Sequence, residues 1–480
     1  MGKLKSIIDK IVPIHKHEAI RFICFGIMIV LVVYIHTIWK ISKDALVISH
    51  LGTETISAIK IWVVTPMAAV FALSYIKMAN NFNRSALFHI LTWFFIGYFI
   101  LFATVLYPNR DACNIDFSSL AARLPALTYM LKAVGSWQYS IFYLFSEMWV
   151  TMMLSISFWQ IANHLVSVEE SKRFYPLFGL TAQIGMMLAG IFSKFFVVHG
   201  SDWQPTLNNV TISIVISGVL LTLSFIALSR TVGTDVMNSK GSAKENKKSK
   251  YNISFRESLR YIASSKPVLL ITAMLLSYNI VINLIEGVWK KSIEVYFSHN
   301  ANEIQNFMSS VNVWVSIVSM VAAIACVFML RHLKWRTSAM FTPAFTLVTG
   351  VIFFVFVLFG SFAAGAASAL FIAILWGSVN NIFARATKHT LFDATKEMAY
   401  IPLDDELKTK GKAAAEMIGM RFGKGAGAFI QQGLLMVFTG MTLLNLAPVI
   451  SVIFLVVIVC WIFSVIYLNR DLAGSLDAKK

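Results

Sequence analysis

Four groups of ionisable and amide side chains recur at helical spacing inside otherwise apolar stretches of this 480-residue chain. Tyr143, Glu147, Thr151 and Ser155 fall every four residues and so share one helix face. Asn279, Asn283, Glu286 and Lys290 share another, His36, Lys40 and Lys43 a third, and Trp376, Asn380 or Asn381, Arg385 and Lys388 a fourth. Further on, Lys408, Lys410 and Lys412 lead into Arg421 and Lys424. So many fixed cations suit an anionic ligand, most naturally a phosphorylated one. Two bare carboxylates would repel it, so Glu147 and Glu286 must each be neutralised by a proton or by a nearby Lys or Arg. Bond-breaking chemistry is not legible: there is no nucleophile–base pair, and the four cysteines form no CxxC or His/Cys cluster that would hold a metal. GMRFGKG (419–425) is not the phosphate loop of an ATPase, because only three residues separate Gly419 from Gly423, no Ser or Thr follows the Lys, and no strand precedes it. The pattern predicts binding rather than catalysis, with neither cofactor nor metal.

The elements that carry these residues are membrane helices. The chain is 57% hydrophobic and 14% charged, against roughly 25% charged in a soluble domain. That balance excludes a cytosolic enzyme, a disordered chain and a nucleic-acid-binding domain. Apolar runs near the 20-residue spanning length occur at 19–39, 56–77, 86–107, 139–163, 175–199, 210–229, 267–289, 307–330, 338–359, 362–384, 417–440 and 445–467. They are continuous, which argues against the alternating strands of a membrane barrel. The expectation is an all-α integral membrane protein with twelve transmembrane helices in two six-helix halves, like a major facilitator. Spans 9 and 10 are nearly continuous, and span 11 is interrupted by Arg421 and Lys424.

Of the 41 Lys and Arg residues, 29 fall on the side of the alternate segments that holds both termini. The net charge of +17 is therefore mainly topological, and both termini are expected in the cytoplasm. Residues 1–18 carry Asp9 and Glu18 and lack a small-residue cleavage site, so no cleavable signal is expected there. The predicted layout is a cytoplasmic N-terminus (1–18), an N-terminal half (19–229), a basic cytoplasmic linker (230–266), a C-terminal half (267–467) and a cytoplasmic tail (468–480). Within the linker, NISFRESLRYIA is predicted to form a short surface helix. HTIWKISKDA (36–45) and EGVWKKSIEV (286–295) align at an offset of 250 residues, and LFGLTA (177–182) and RFGKGA (421–426) at 244, which favours an internal repeat.

In such a fold spans 1, 4, 7 and 10 line the central cavity, and those spans carry the four stripes. Plainer readings compete for some members. Lys40 and Lys290 read best as end residues snorkelling to the interface. Asn279 and Asn283 either face a ligand or bond neighbouring helices, and Gly419, Gly423 and Gly427 form a small-xxx-small packing face.

Specific strings add a resemblance. SKDALV (42–47), SEMW (146–149), SKRFYPLFGLTAQIG (171–185), EGVWK (286–290), LWGSVNN (375–381), KHTLFDATKEMAYIPLDDELKTKGKAAAE (388–416) and RFGKGAGAFIQQ (421–432) cover nearly the whole chain. They resemble the nucleotide transporters of obligate intracellular bacteria and plastids, the ATP/ADP translocases of rickettsial and chlamydial type. That resemblance implies exchange of host ATP for bacterial ADP plus phosphate across the bacterium's own inner membrane; the sequence does not give the oligomeric state, and the expectation is a monomer in the lipid bilayer. It also implies essential roles for Lys43, Glu147, Glu286 and Lys412, which match the family's functional positions. With the stripes, the candidate substrate-binding set is Lys43, Glu147, Asn283, Glu286, Asn380, Arg385, Lys412, Arg421 and Lys424. Three departures bear on which nucleotide is carried: Gln183 in place of Asn, His389 in place of Tyr, and GKGAG (423–427) in place of GKSGG. The alternative within the fold is proton-coupled or exchange uptake of GTP, CTP, UTP or NAD. A membrane enzyme would need a nucleophile–base pair or a metal site, and neither is readable; a structural or receptor role would leave the charged stripes unexplained.

Overall fold

A computed structural model describes residues 14–15, 18–200, 202–233 and 255–476. Twelve described segments cross the bundle. Eleven are helices of membrane length: α1 (Ala19–Leu51), α2 (Glu54–Asn81), α3 (Arg84–Leu106), α4 (Trp137–Leu165), α5 (Val168–Phe196), α6 (Trp203–Val232), α7 (Lys266–Tyr296), α8 (Ala301–His332), α9 (Trp335–Gly360), α10 (Ala367–Tyr400) and α12 (Ala447–Asp471). The remaining segment, α11 (407–437), alternates π and α turns before settling into Gly423–Val437. In lipid each backbone polar group must be satisfied within its own segment, which makes helix the only outcome for runs of this composition.

Several helices extend well beyond their apolar runs. α1 continues through the polar sequence Lys40–Asp44 to Leu51, and α10 continues to Tyr400. Hydropathy registers only the apolar stretch; where the next turns are polar but enclosed by protein, helix persists with those side chains directed inward. α1 stops at Gly52, whose φ of 84° lets its N–H donate back to the Val47 carbonyl at 3.1 Å. Asn83 and Asn300 cap α3 and α8, and Ser167 with Glu170 forms a capping box at the start of α5. Gly365 (φ 78°) separates spans 9 and 10. The predicted surface helix is present at Phe255–Ser264, while 234–254 of the linker lies outside the described residues.

The last six helices pack as one group around α7, and the first six around α1. The small-residue face of α11 lies on α7 as expected: a Cβ at Gly427 would come within 2.4 Å of the Asn283 Cβ, and one at Gly419 within 2.5 Å of the Leu275 Cβ. Across the two groups α5 lies on α8, where a Cβ at Gly190 would sit 2.9 Å from the Ser309 carbonyl oxygen.

Asn380 belongs to this packing. Its Nδ2 donates to the Thr346 carbonyl at 3.2 Å and the Thr349 hydroxyl at 2.7 Å, both on α9, and it does not line the cavity described below. Its place in the span 10 stripe does not bring it to the site, because the stripe is wide enough to turn one edge toward α9. Asn380→Ala is expected to lower thermal stability of the purified protein by about 1 kcal/mol and to leave the KM for substrate unchanged. A raised KM with unaltered melting would return Asn380 to the site.

Candidate substrate cavity

A cavity of about 1300 Å³ lies between the two groups, lined by residues of α1, α2, α4, α5, α7, α8, α10 and α11. Its floor is a chain of charges. Lys290 Nζ lies 2.9 Å from Asp44 Oδ2 and 2.9 Å from Glu286 Oε1, and the latter oxygen also accepts from Arg385 at 3.1 Å. Lys43 pairs with Glu147, and its Nζ sits 3.5 Å from the centroid of the Tyr143 ring. Both predicted carboxylates are thus neutralised by basic side chains. The partners also cross the bundle: Lys290 on α7 reaches Asp44 on α1, which joins the two halves through buried charge.

Two tryptophans hold these carboxylate-bearing helices in register. The Trp149 indole N–H donates to the Val32 carbonyl of α1 at 3.0 Å, two residues beyond Glu147. The Trp289 indole N–H donates to the Ile374 carbonyl of α10 at 3.1 Å, three residues beyond Glu286. Each Trp therefore ties a carboxylate helix to the helix that supplies a neutralising cation. This gives a structural reason for the Glu-to-Trp spacing of the SEMW and EGVWK strings.

Polar side chains continue from the floor toward the other end. Asn279, Asn283, Gln183, Asn312 and Ser319 line the wall, and Lys388 and His389 lie at the mouth, where the His389 side chain is 73% exposed. The mouth lies at the end of the bundle that carries the described terminal residues. The opposite end is sealed by a second cluster. Lys291 Nζ reaches Glu54 at 3.0 Å and Glu294 at 2.6 Å; Glu294 also accepts from the Thr53 N–H at 2.7 Å and hydroxyl at 2.6 Å. The Leu443 N–H donates to Glu54 at 3.1 Å, and the Ser57 hydroxyl donates to Gln432 at 2.9 Å. Each of these contacts except Lys291–Glu294 joins the first six helices to the last six. No described ion pair does so at the mouth, where Lys412–Glu397, Lys396–Glu416 and Tyr261–Glu406 stay within the second group and Arg21–Glu170 within the first.

Of the predicted set, Lys43, Glu147, Asn283, Glu286 and Arg385 line the cavity. Lys412 does not: its Nζ is 2.5 Å from Glu397, in the polar cluster below the mouth. The side chains of Arg421 and Lys424 lie outside the described residues. Two expectations are corrected. Lys290 is 5% exposed and paired on both sides, and Lys40 faces the cavity three turns before α1 ends, so neither snorkels to an interface. The span 4 stripe also ends at Glu147. From Val150 to Phe158 the helix is π-wound, and the wider turn rotates Thr151 and Ser155 away from the cavity lining.

The sequence reading missed Lys60, Asp44 and Tyr278 as cavity residues. Lys60 had a signal, being an ionisable residue within a span. It is presented by another π segment, Ile59–Val64, and Lys388 and His389 by a third, Lys388–Phe392. π turns collect at functional sites, and no periodicity argument anticipates them.

Two six-helix halves around a polar cavity sealed at one end define a multi-pass membrane transporter of the major-facilitator type. Among solved structures the fold is similar to a bacterial metal transporter (TM-score 0.58, 12% identity, 95% of this chain and 99% of that one). It is also similar to a D-xylose–proton symporter (TM-score 0.55, 12% identity, 93% and 96%). Residues 2–472 match the family model described as TLC ATP/ADP transporter, and the chain belongs to that family. It is 34% identical to ADP,ATP carrier protein 3 of Rickettsia felis over 98% of this chain and 97% of that protein. It is 35% identical to ADP,ATP carrier protein 1 of Chlamydia pneumoniae, over 98% and 94%.

Proposed function

We propose that the protein exchanges external ATP for internal ADP across a bacterial inner membrane, with phosphate accompanying ADP, by alternating access of the one cavity to the two sides. The observation that carries this reading is the cavity's charge: among the described residues, six lysines and arginines face three carboxylates, at the interface of two halves that can rock against each other. The nucleotides follow from the relatives, which are named as ADP,ATP carriers. Lys43 and Arg385 contact the polyphosphate, Glu147 and Glu286 hold them in place between transport events, and Asn283 contacts the nucleoside. Arg421 and Lys424 belong to the same substrate set by their place on α11. Lys412 acts at the mouth rather than in the cavity. The Lys and Arg asymmetry assigns both termini to the cytoplasm, so the open mouth faces inward and the Lys291 cluster closes the outer side.

Exchange is tested in cells expressing the protein. Release of preloaded labelled ADP should require external ATP or ADP and should survive a proton uncoupler. Uptake that collapses with the uncoupler and needs no internal nucleotide would instead establish proton-coupled import. Orientation is tested separately: a cysteine introduced at 240–250 should resist an impermeant thiol reagent in intact cells and react once the membrane is opened. Labelling from outside would reverse the assignment of sides.

A further inference from the structure

Each carboxylate that lines the cavity is already held by a cation: Asp44 by Lys290, Glu147 by Lys43, and Glu286 by both Lys290 and Arg385. Two half-buried lysines of the same cavity are not so engaged. Lys40 and Lys60 make no ion pair or hydrogen bond through their ammonium groups among the described residues. Lys40 lies one turn before Lys43 on α1. Lys60 sits on the π segment of α2 and also borders a small void of about 20 Å³ beside Glu286 and Lys290. Both therefore approach the floor, from two helices of the first half, above a carboxylate that other cations have claimed. Holding an ammonium half-buried without a partner is costly, and a ligand anion is what the arrangement leaves to offset it.

The charge balance narrows the ligand's form. Among the described side chains the cavity lining has a surplus of three positive charges. A nucleoside diphosphate without a metal carries about three negative charges near neutral pH, most of them on its terminal phosphates. Its magnesium complex carries only about one, and brings a cation that prefers carboxylate and water oxygens to ammonium groups. Here the carboxylates are taken and the free groups are ammonium. We propose that Lys40 and Lys60 neutralise the terminal phosphate of a nucleotide that enters the cavity without a divalent cation, so that the two lysines take the role magnesium plays in most nucleotide sites. This rests on the nucleotide-exchange reading above and specifies the chemical form of its substrate. A lysine suits the task, being a point charge with three rotatable donors rather than a planar fork.

The test uses the full-length protein in liposomes loaded with ADP, with labelled ADP outside at fixed total concentration and magnesium raised from none to excess. The initial rate should follow free ADP, falling about tenfold when about nine-tenths of the nucleotide is complexed, at concentrations below KM. Lys40→Gln and Lys60→Gln should each raise the KM for metal-free ADP about tenfold or more with a smaller change in Vmax. They should also narrow the gap in KM between metal-free and complexed ADP, whereas Lys60→Arg should keep most of it. A purely structural role would not move that gap. Wild-type uptake indifferent to magnesium, or wild-type KM values in both Gln variants, would overturn the proposal. The magnesium titration needs no variant, so poor insertion of either one does not spare it. If wild-type protein takes up no ADP at any magnesium concentration, the exchange reading fails instead, and the same titration is run on the nucleotide that is carried.

Discussion

Lys43→Gln is expected to abolish ADP binding, with loss of at least about 100-fold in affinity, while the protein still inserts and folds. The lysine side chain is 2% exposed, packed over the Tyr143 ring and paired with Glu147. Removing it takes away one phosphate contact and also leaves Glu147 without its direct partner at the cavity wall, where the carboxylate repels the incoming anion. Glu147→Gln should behave differently. It frees Lys43 for phosphate, so equilibrium binding of ADP persists or tightens, but exchange falls steeply. On the proposed mechanism the carboxylate competes with phosphate for one ammonium, and that competition would make occupancy matter to the rocking of the two halves. A ligand can shift the equilibrium only by its difference in affinity between the two states, and Glu147 supplies part of that difference. Binding of labelled ADP to purified variants, set beside exchange in liposomes, separates the two effects. Normal exchange by Glu147→Gln would reduce the carboxylate to a packing role. Normal uptake by Lys43→Gln would remove the lysine from the site.

Particular residues show why part of this site was legible in the sequence and part was not. Lys43, Glu147, Glu286 and Arg385 stood out because a charge inside an apolar run is costly, and regular spacing put several on one face. The same logic identified the helices that supply most of the floor. It misplaced Lys40 and Lys290 because a hydropathy window ends where polar residues begin, whereas α1 and α7 continue as helix with buried side chains as far as Leu51 and Glu294. It overextended the span 4 stripe because a constant turn of 3.6 residues was carried across Val150–Phe158, which is π-wound. Asn380 and Lys412 show a different limit: a polar residue on a helix records that it faces something polar, not whether that is a ligand, a neighbouring backbone or a counter-charge. Asn380 met α9 and Lys412 met Glu397. The closing cluster escaped altogether, since Glu54, Lys291 and Glu294 sit in the short polar stretches around the ends of α1, α2 and α7, where charge is ordinary. Only the fold brings residues 237 positions apart into contact at 3.0 Å.

That closing cluster carries the other large expected effect. Lys291→Gln should open the end of the cavity opposite the termini. Lys291 is the shared cation of Glu54 and Glu294, and those carboxylates also gather the Thr53 and Leu443 N–H groups, so its loss leaves two buried acids facing each other with only the His299 ring, 3.4 Å from Glu294, beside them. Breaking a buried pair from one side typically costs about 3–5 kcal/mol. Here that cost falls on the sealed state alone, because rocking outward hydrates both acids. Even about 2.8 kcal/mol of it would shift the balance between the two states about 100-fold toward the outward-open one. Ala428 provides a reporter, since it lines both the cavity and the small void beyond the floor, and alanine to cysteine is a modest change. In a background with the four native cysteines replaced, Ala428→Cys should react slowly with an impermeant reagent applied at the sealed side. Adding Lys291→Gln should speed that reaction at least about tenfold, within the shift just estimated. Glu294→Gln should give a smaller increase, because the amide oxygen still accepts from Thr53 while the pairing with Lys291 is lost. Neither residue lines the cavity, so ADP binding should survive in both variants while exchange slows, as the return to the sealed state becomes uphill. Equal reactivity of the introduced thiol with and without Lys291 would show that the seal depends on the floor charges Lys290 and Asp44, and that the Lys291 cluster only packs the helix ends.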